Sequence, residues 1–153
     1  MKIFLRNLKN SDIDILLKTE NDESLWNYSI QDKPFSEAML KNYIMNASIQ
    51  NIFEAKQKRF VISSFKNNIL GFIDLFDYEP SKNKAYVGIV VLDKYRKKGI
   101  GHDSIKLLEL YCINDVGINK LCALIESNNI KSIKLFEKSG FVRKHNKIYE
   151  KEY

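Results

Sequence analysis

The stretch VVLDKYRKKGIG, residues 90–101, joins an apolar strand to the start of a helix and decides how this chain folds. Backbone N–H groups at a helix N-terminus are unpaired and carry the positive end of the helix dipole. Gly99 and Gly101 let a ligand approach this backbone closely, and the basic run 96–98 adds positive charge. The stretch therefore predicts a phosphate or pyrophosphate site, with a plain basic turn before a helix as the alternative. Its glycine spacing matches neither a Walker loop nor a Rossmann loop.

The segments around this turn predict a mixed sheet with helices packed on it, an α/β (α+β) class. Residue patterns predict strands at 2–6, 59–63, 69–78, 85–92, 121–125, 141–142 and 148–149, and helices from residue 11 and over 36–47, 99–115 and 130–138. Short polar turns between the second, third and fourth strands favour an antiparallel meander. Gly88, inside the fourth strand, predicts a bulge or a close backbone approach.

Composition predicts a single domain that spans residues 1–153. Of the 153 residues, 44% are hydrophobic and 29% are charged, and a chain of this length needs no disulfide or metal staple. The apolar runs are too short for a membrane span of about 20 residues, and the first residues do not resemble a signal peptide. We therefore expect a cytoplasmic protein without membrane contact. Cys112 and Cys122 lie in apolar segments and are predicted to be core residues, and no metal is expected.

Charge is distributed unevenly along the chain. The net charge is +6, yet residues 11–37 hold seven acids and only two bases. This asymmetry suits a protein that meets a cationic group on one side and an anionic group on the other, although ordinary solvated surface charge explains it equally well. A nucleic-acid-binding domain is the less favoured class, because the bases cluster at a pyrophosphate-sized loop and no basic-aromatic RNA motif is present.

Two motifs together resemble the signatures of the GNAT (Gcn5-related) N-acetyltransferase superfamily. Arg96-x-x-Gly99-x-Gly101 is similar to the family pattern [Q/R]-x-x-G-x-[G/A]. The stretch NIKSIKLFEKSGF, residues 129–141, is similar to N-x-x-[AS]-x-x-L-[YF]-x-K-x-G-F. The resemblance covers the whole chain. It implies one mixed, mostly antiparallel twisted sheet of six to seven strands, flanked by about four helices, with a splay between the fourth and fifth strands.

The resemblance also implies that acetyl-CoA is the acetyl donor and that its pantetheine arm lies between the splayed strands. The residues that it assigns to the cofactor are Val90, Val91, Leu92, Arg96, Lys97, Lys98, Gly99, Ile100, Gly101, His102, Asn129, Ser132 and Phe136. For His102, the alternative is a solvent-exposed position on the helix.

The residues that would perform catalysis depart from the family pattern. The resemblance implies direct transfer of the acetyl group to a primary amine, which must lose a proton while the leaving thiolate gains one. Many members have a Glu near the start of the fourth strand, but this chain has Ala85 and Tyr86 there; Phe136 replaces the Tyr that many members use as the acid. These changes leave a non-catalytic acyl-CoA-binding domain as an alternative.

Asp74 is the candidate general base that the sequence offers. By a period of two, Phe72, Asp74, Phe76 and Tyr78 share one face of the third strand, and an Asp in an aromatic row is unusual for a core. Such a carboxylate could bind or deprotonate a cationic amine. The alternatives are an Asp that faces solvent and one that is paired with a nearby Lys or Arg.

The acceptor amine is predicted from the acidic segment. The stretch Glu20-Asn21-Asp22 followed by Trp26 resembles the spermidine N-acetyltransferases and the ribosomal-protein alanine N-acetyltransferases within the superfamily. Because acids raise the local concentration of a polycation, we expect a small polyamine-type substrate rather than a protein N-terminus. The predicted substrate residues are Glu20, Asp22, Glu23, Trp26, Tyr28, Phe35, Asp74 and Phe76. Core or lid packing is the alternative for the aromatic residues, and a homo-oligomer remains open.

Overall fold

A mixed sheet of seven strands forms the frame of the protein in the computed structural model, which describes residues 2–22, 36–49 and 51–153. The strands are β1 (Ile3–Asn7), β2 (Lys58–Ser64), β3 (Ile69–Glu79), β4 (Lys84–Val91), β5 (Lys120–Leu124), β6 (Val142–His145) and β7 (Ile148–Glu152). Their order across the sheet is β1-β2-β3-β4-β5-β7-β6. Neighbouring strands are antiparallel except β4 and β5, which are parallel. The predicted fold class and the predicted meander are confirmed.

The described ranges contain five α-helices. They are α1 (Ile13–Glu20), α2 (Glu37–Ile49), α3 (Ile52–Ala55), α4 (Ile100–Tyr111) and α5 (Ile130–Lys138). The sequence pattern missed α3, because a single turn is too short to show helical periodicity. This turn is held by its cap: the Asn51 side chain accepts a hydrogen bond of 3.1 Å from the backbone N–H of Glu54.

Helices cover both faces of the sheet. On one side, which we call the α1/α2 face, Leu16 and Ile44 pack with Val61 of β2 and Phe72 of β3. On the other side, the α4 face, helix α4 packs on the neighbouring strand positions, as at Leu108. Successive residues of a strand point to opposite faces, so β2 and β3 supply side chains to both layers.

The parallel pair β4 and β5 separates partway along its length. Their ladder ends at Tyr86 and Cys122, whereas β4 continues to Val91 and β5 to Leu124. We call the resulting opening the fork. The predicted splay between the fourth and fifth strands is thereby confirmed, and it leaves one edge of β4 free of strand pairing beyond Tyr86.

Strand β3 carries the bulge that the sequence misplaced. The register between β3 and β4 is regular at Gly88, which lies opposite Asp74, and it shifts between Phe76 and Glu79 instead. The close approach is also elsewhere: a Cβ on Gly71 would lie 2.1 Å from the carbonyl oxygen of Val90, whereas one on Gly88 would make only ordinary contacts. Both predictions for Gly88 are wrong, because a strand glycine alone does not reveal what faces it across the sheet.

The bulge also changes the face on which Tyr78 lies. The prediction that Tyr78 shares a face with Phe72 and Asp74 is wrong, since Tyr78 belongs to the core cluster of the α4 face together with Leu75. An extra residue in a strand shifts the alternation of every side chain that follows it. The face-sharing prediction therefore fails where the bulge begins.

The cysteine prediction is confirmed, since Cys112 and Cys122 are both free and fully buried. Within the parts of the chain that the structure describes, no helix is long and apolar enough to cross a membrane. The same residues contain no cluster of His, Cys, Asp or Glu side chains arranged to hold a metal ion.

Candidate active site

The turn between β4 and α4 is shaped for an anion. Gly99 is the N-cap of α4 with a φ of 79°, a left-handed conformation that favours glycine, and nothing lies within 4 Å of where its Cβ would be. Lys97 is also left-handed, with a φ of 63°. The N–H groups that open α4, at residues 100–102, have no carbonyl partner within the helix and face this open space. The turn thus fits the phosphate-binding role that the sequence predicts for it.

Arg96 stabilises the turn through two contacts of its side chain. Its Nε donates to the carbonyl oxygen of Val91 at 2.9 Å, and its Nη1 lies 2.6 Å from a carboxylate oxygen of Asp93. The exposed Lys97 and Lys98 form no ion pair with the described residues, so their charges remain available to a ligand. Of the predicted basic contacts, the two lysines are free to meet an anion, whereas Arg96 is engaged in holding the loop.

The free edge of β4 supplies backbone groups to the fork. Leu92 donates its N–H to the carbonyl oxygen of Leu70 at 2.8 Å, so its amide faces β3. Alternate residues of an antiparallel strand direct their polar groups to opposite sides, so Val90 also faces β3 while Ile89 and Val91 face the fork. Sequence reasoning missed Ile89, because the strand pattern shows where side chains point but not which way the peptide groups point.

Helix α5 lies next to the start of α4 and contributes mainly apolar packing there. The Asn129 side chain caps α5 by accepting a hydrogen bond of 3.2 Å from the N–H of Ser132. Phe136 is only 3% exposed and meets Phe141 edge to face, with ring centroids 5.0 Å apart. A Cβ on Gly101 would lie 3.0 Å from Leu135, so this glycine permits close packing of α4 on α5.

His102 joins the two helices as well. Its Nδ1 lies 3.1 Å from the hydroxyl of Ser139, and this hydroxyl donates to the carbonyl oxygen of Leu135 at 2.9 Å. His102 is therefore neither a fully exposed helix residue nor directed only toward the turn. It fixes the start of α4 against the end of α5.

The α1/α2 face of the sheet carries an ion-pair cluster beside the fork. The guanidinium of Arg59 on β2 holds Asp74 on β3 through two hydrogen bonds, Nε to Oδ1 at 2.6 Å and Nη2 to Oδ2 at 2.7 Å. Its third nitrogen, Nη1, pairs with Glu20 at the end of α1. We call these three residues the Arg59 cluster. Two carboxylates thus share one guanidinium.

Aromatic rings bury the guanidinium of Arg59. Its Cζ lies 5.7 Å from the ring centre of Tyr43 and 6.0 Å from that of Phe72. Burial lowers the pKa of Arg59, but the neighbouring carboxylates outweigh this effect and raise the pKa above its usual range. The cation is therefore permanent. Sequence reasoning missed Arg59, because only the register of β2 against β3 places it opposite Asp74.

The sequence left open whether Asp74 faces solvent or is paired with a nearby Lys or Arg. The structure shows that it is paired with Arg59. Both oxygens of this carboxylate are held by the guanidinium of Arg59. The same carboxylate lies across from Gly88, where a Cβ would be 3.9 Å from Oδ2. Because Gly88 has no side chain, this position of β4 does not cover the Asp74 carboxylate.

The remaining predicted substrate residues divide into two groups. Phe76 stacks on Tyr86 with ring centroids 5.7 Å apart and an interplanar angle of 29°, at the point where β4 and β5 part. Asp22 follows the end of α1 and is exposed. Four predicted residues lie outside the described residues: Glu23, Trp26, Tyr28 and Phe35.

A family model described as an acetyltransferase (GNAT) domain matches residues 2–142. The chain belongs to this family. The membership confirms the predicted family and the predicted class, an acetyl-CoA-dependent N-acetyltransferase. It also agrees with the sheet, the fork and the β4–α4 turn described above.

Several known proteins are similar to this chain in sequence or in structure. A spermidine N(1)-acetyltransferase of Vibrio cholerae is 20% identical over 97% of this chain and 84% of its own length. An uncharacterized SPbeta prophage-derived N-acetyltransferase of Bacillus subtilis is 26% identical over 91% of this chain and 75% of its own. The crystal structure of the Vibrio cholerae spermidine N-acetyltransferase with CoA and spermine matches with a TM-score of 0.84, at 18% identity, over 97% of this chain and 92% of that one.

Proposed function

We propose that this protein transfers an acetyl group from acetyl-CoA to a primary amine of a small, linear polyamine. The observation that carries the acceptor class is the Arg59 cluster, which places two carboxylates beside the fork. A carboxylate pair of this kind attracts an ammonium group. The similarity to spermidine N-acetyltransferases supports the same acceptor class.

The cofactor is assigned to the other side of the fork. Acetyl-CoA supplies the acetyl group as a thioester. The N–H groups that open α4, with Lys97 and Lys98, would hold its pyrophosphate, and the peptide groups of Ile89 together with the N–H of Val91 would pair with its extended arm. The open space at Gly99 fits this approach of a ligand to the backbone.

Positioning supplies much of the rate in this proposal. The attacking nitrogen must be neutral, and the released thiolate must gain a proton. We assign Asp74 to binding and orienting the amine substrate, because its carboxylate lies opposite Gly88 beside the fork. Water carries both protons. A thiolate is a good leaving group at a free thiol pKa of about 8.5, so the absence of a hydroxyl at Phe136 is tolerated.

An amine panel tests the proposed function. Release of CoA thiol is measured with spermidine, spermine, putrescine, propylamine and an alanyl peptide, each with acetyl-CoA. The polyamines should give the highest kcat/KM, and added salt should lower it, because exposed charges are screened beyond about 8 Å at physiological ionic strength. Preference for the peptide in competition would move the protein to the N-terminal acetyltransferases. Binding of acetyl-CoA without turnover of any amine would leave a non-catalytic acyl-CoA-binding domain.

We also propose that the protein is a homo-oligomer. A dodecameric structure of the Vibrio cholerae spermidine N-acetyltransferase matches this chain with a TM-score of 0.77, at 19% identity, over 98% of this chain and 93% of that one. The edge strand β6 exposes Val142, with 59% of its surface open, and edge strands are natural pairing sites for another chain. Light scattering on purified protein decides the matter, and a monomer at micromolar concentration would contradict it.

A further inference from the structure

We propose that the Arg59 cluster binds the ammonium of the polyamine that does not react, and that the substrate chain crosses β4 at Gly88 to bring its other nitrogen into the fork. This inference rests on the proposed amine acetyltransferase function and adds which nitrogen each part of the site takes. It makes Asp74 a substrate-binding residue and Arg59 a positioning residue.

The distance between the cluster and the fork supports this division. Asp74 lies on β3, and the fork opens on the far side of β4. Neighbouring strands are about 4.8 Å apart, so a group at Asp74 and a group in the fork are separated by about two strand spacings, about 10 Å. One amine nitrogen cannot occupy both places. A linear molecule with two amines can.

Gly88 provides the passage between the two places. It is the β4 residue directly opposite Asp74, and a Cβ there would lie 3.5 Å from Phe76 and 3.9 Å from the Asp74 carboxylate. Any larger side chain would fill the space between the cluster and the fork. The stacked rings of Phe76 and Tyr86 border this notch and offer an apolar surface to methylene groups.

The charges explain why the cluster suits the polyamine nitrogen that does not react. A carboxylate such as that of Asp74 beside an ammonium favours its charged form, which cannot attack a carbonyl. The same charge is an advantage for a nitrogen that only anchors the substrate. The cluster and the fork thus act on two ends of one molecule.

A series of linear α,ω-diamines of increasing length, each compared with the monoamine of the same length, tests this inference. The wild type should acetylate the best-fitting diamine at least tenfold better, in kcat/KM, than its monoamine. Asp74→Asn should lower kcat/KM for the diamine at least tenfold and thereby abolish this preference. Asp115→Asn is the matched control: it removes the same charge from an exposed site at the end of α4, on the opposite face of the sheet, and the preference should persist.

Two further measurements separate binding from folding and chemistry. Calorimetric titration of the diamine into the free protein should show at least tenfold weaker binding to Asp74→Asn than to wild type. Gly88→Val suits an extended strand and should fold, yet it should remove the diamine preference while acetyl-CoA affinity stays unchanged. Arg59→Lys keeps one cation for the two carboxylates and should retain part of the preference.

The outcomes are distinguishable. If Asp74→Asn slows monoamine and diamine equally, Asp74 acts on the reacting nitrogen and the inference is wrong, although the proposed function stands. Equal rates for wild-type diamines and monoamines would also overturn it and leave amine acetylation intact. If no amine is acetylated at all, the proposed function fails and the inference falls with it.

Discussion

The two sides of the fork are built in different ways. The side that we propose for the cofactor comes from one continuous stretch, residues 90–101, in which a strand, a left-handed turn and a helix start follow one another. The acceptor side is assembled from three elements, with Arg59 separated from Asp74 by 15 residues and from Glu20 by 39. A site made of local backbone geometry can be recognised in a sequence, whereas one made of converging side chains depends on strand register.

We expect the largest difference between the two sides when Arg59 and Arg96 are replaced in separate variants and their stabilities are compared. Arg59→Met leaves the carboxylates of Asp74 and Glu20 side by side without their cation, and breaking a buried pair costs about 3 kcal/mol in the free energy of unfolding. Arg96→Met is the matched control, because Arg96 pairs with the exposed Asp93 only three residues away, and such a pair contributes under about 1 kcal/mol. Urea denaturation measures both. Equal losses in the free energy of unfolding would mean that the ion pairs of Arg59 stabilise the fold no more than the pair between Arg96 and Asp93.

Two separate glycine variants test the proposed cofactor side alone. Gly99→Val should weaken acetyl-CoA binding at least tenfold by calorimetry, about 1.4 kcal/mol, because a side chain then occupies the open space over the helix start. Gly117→Val carries the same left-handed strain, with a φ of 87°, and likewise meets nothing within 4 Å, but it lies near the other end of α4. It should destabilise the fold similarly and leave acetyl-CoA affinity unchanged. Equal weakening by both variants would contradict the assigned anion site.

Acid titration tests how α1 is held against the sheet on the acceptor side. Burial raises the pKa of Asp12, but hydrogen bonds from Arg6 and from the N–H of Lys9 outweigh it and lower the pKa below 3.8. The stabilisation is therefore present above about pH 4, and it is lost as the pH falls through the lowered value. Asp12→Asn should cost about 1 kcal/mol at pH 7, with the gap to wild type narrowing below pH 4. A gap that stays constant across denaturation curves from pH 7 to pH 3 would refute this linkage.

The smallest expected effect concerns the missing proton donor. Phe136→Tyr should change kcat for a polyamine less than about threefold, since water already protonates the thiolate. The ring is buried against Phe141, so the added hydroxyl must find a partner, and a modest loss of stability is expected. Steady-state kinetics and thermal unfolding measure the two effects. If the wild type shows no turnover and the Phe136→Tyr variant does, the wild-type protein is not an active acetyltransferase and the prediction is wrong.

Local patterns in the sequence determined much of the fold. The meander, the cofactor turn and the two buried cysteines follow from periodicity, turn residues and apolar runs, which act within about a dozen residues. The family motifs added the splay between β4 and β5. The same patterns failed at Gly88 and Tyr78, where what matters is the partner strand: β3 takes up an extra residue after Phe76 that no local rule locates.

The acceptor side was decided by tertiary structure alone. Composition indicated an excess of acid in residues 11–37, but it could not show that Glu20 and Asp74 share one guanidinium. An ion pair between strands requires their register, and the register of β2 and β3 is set by the packing of both sheet faces at once. The proposed anion site is formed by neighbouring residues at a helix that begins at a glycine, so it can be predicted from consecutive residues. The proposed cation site forms only when α1, β2 and β3 pack together.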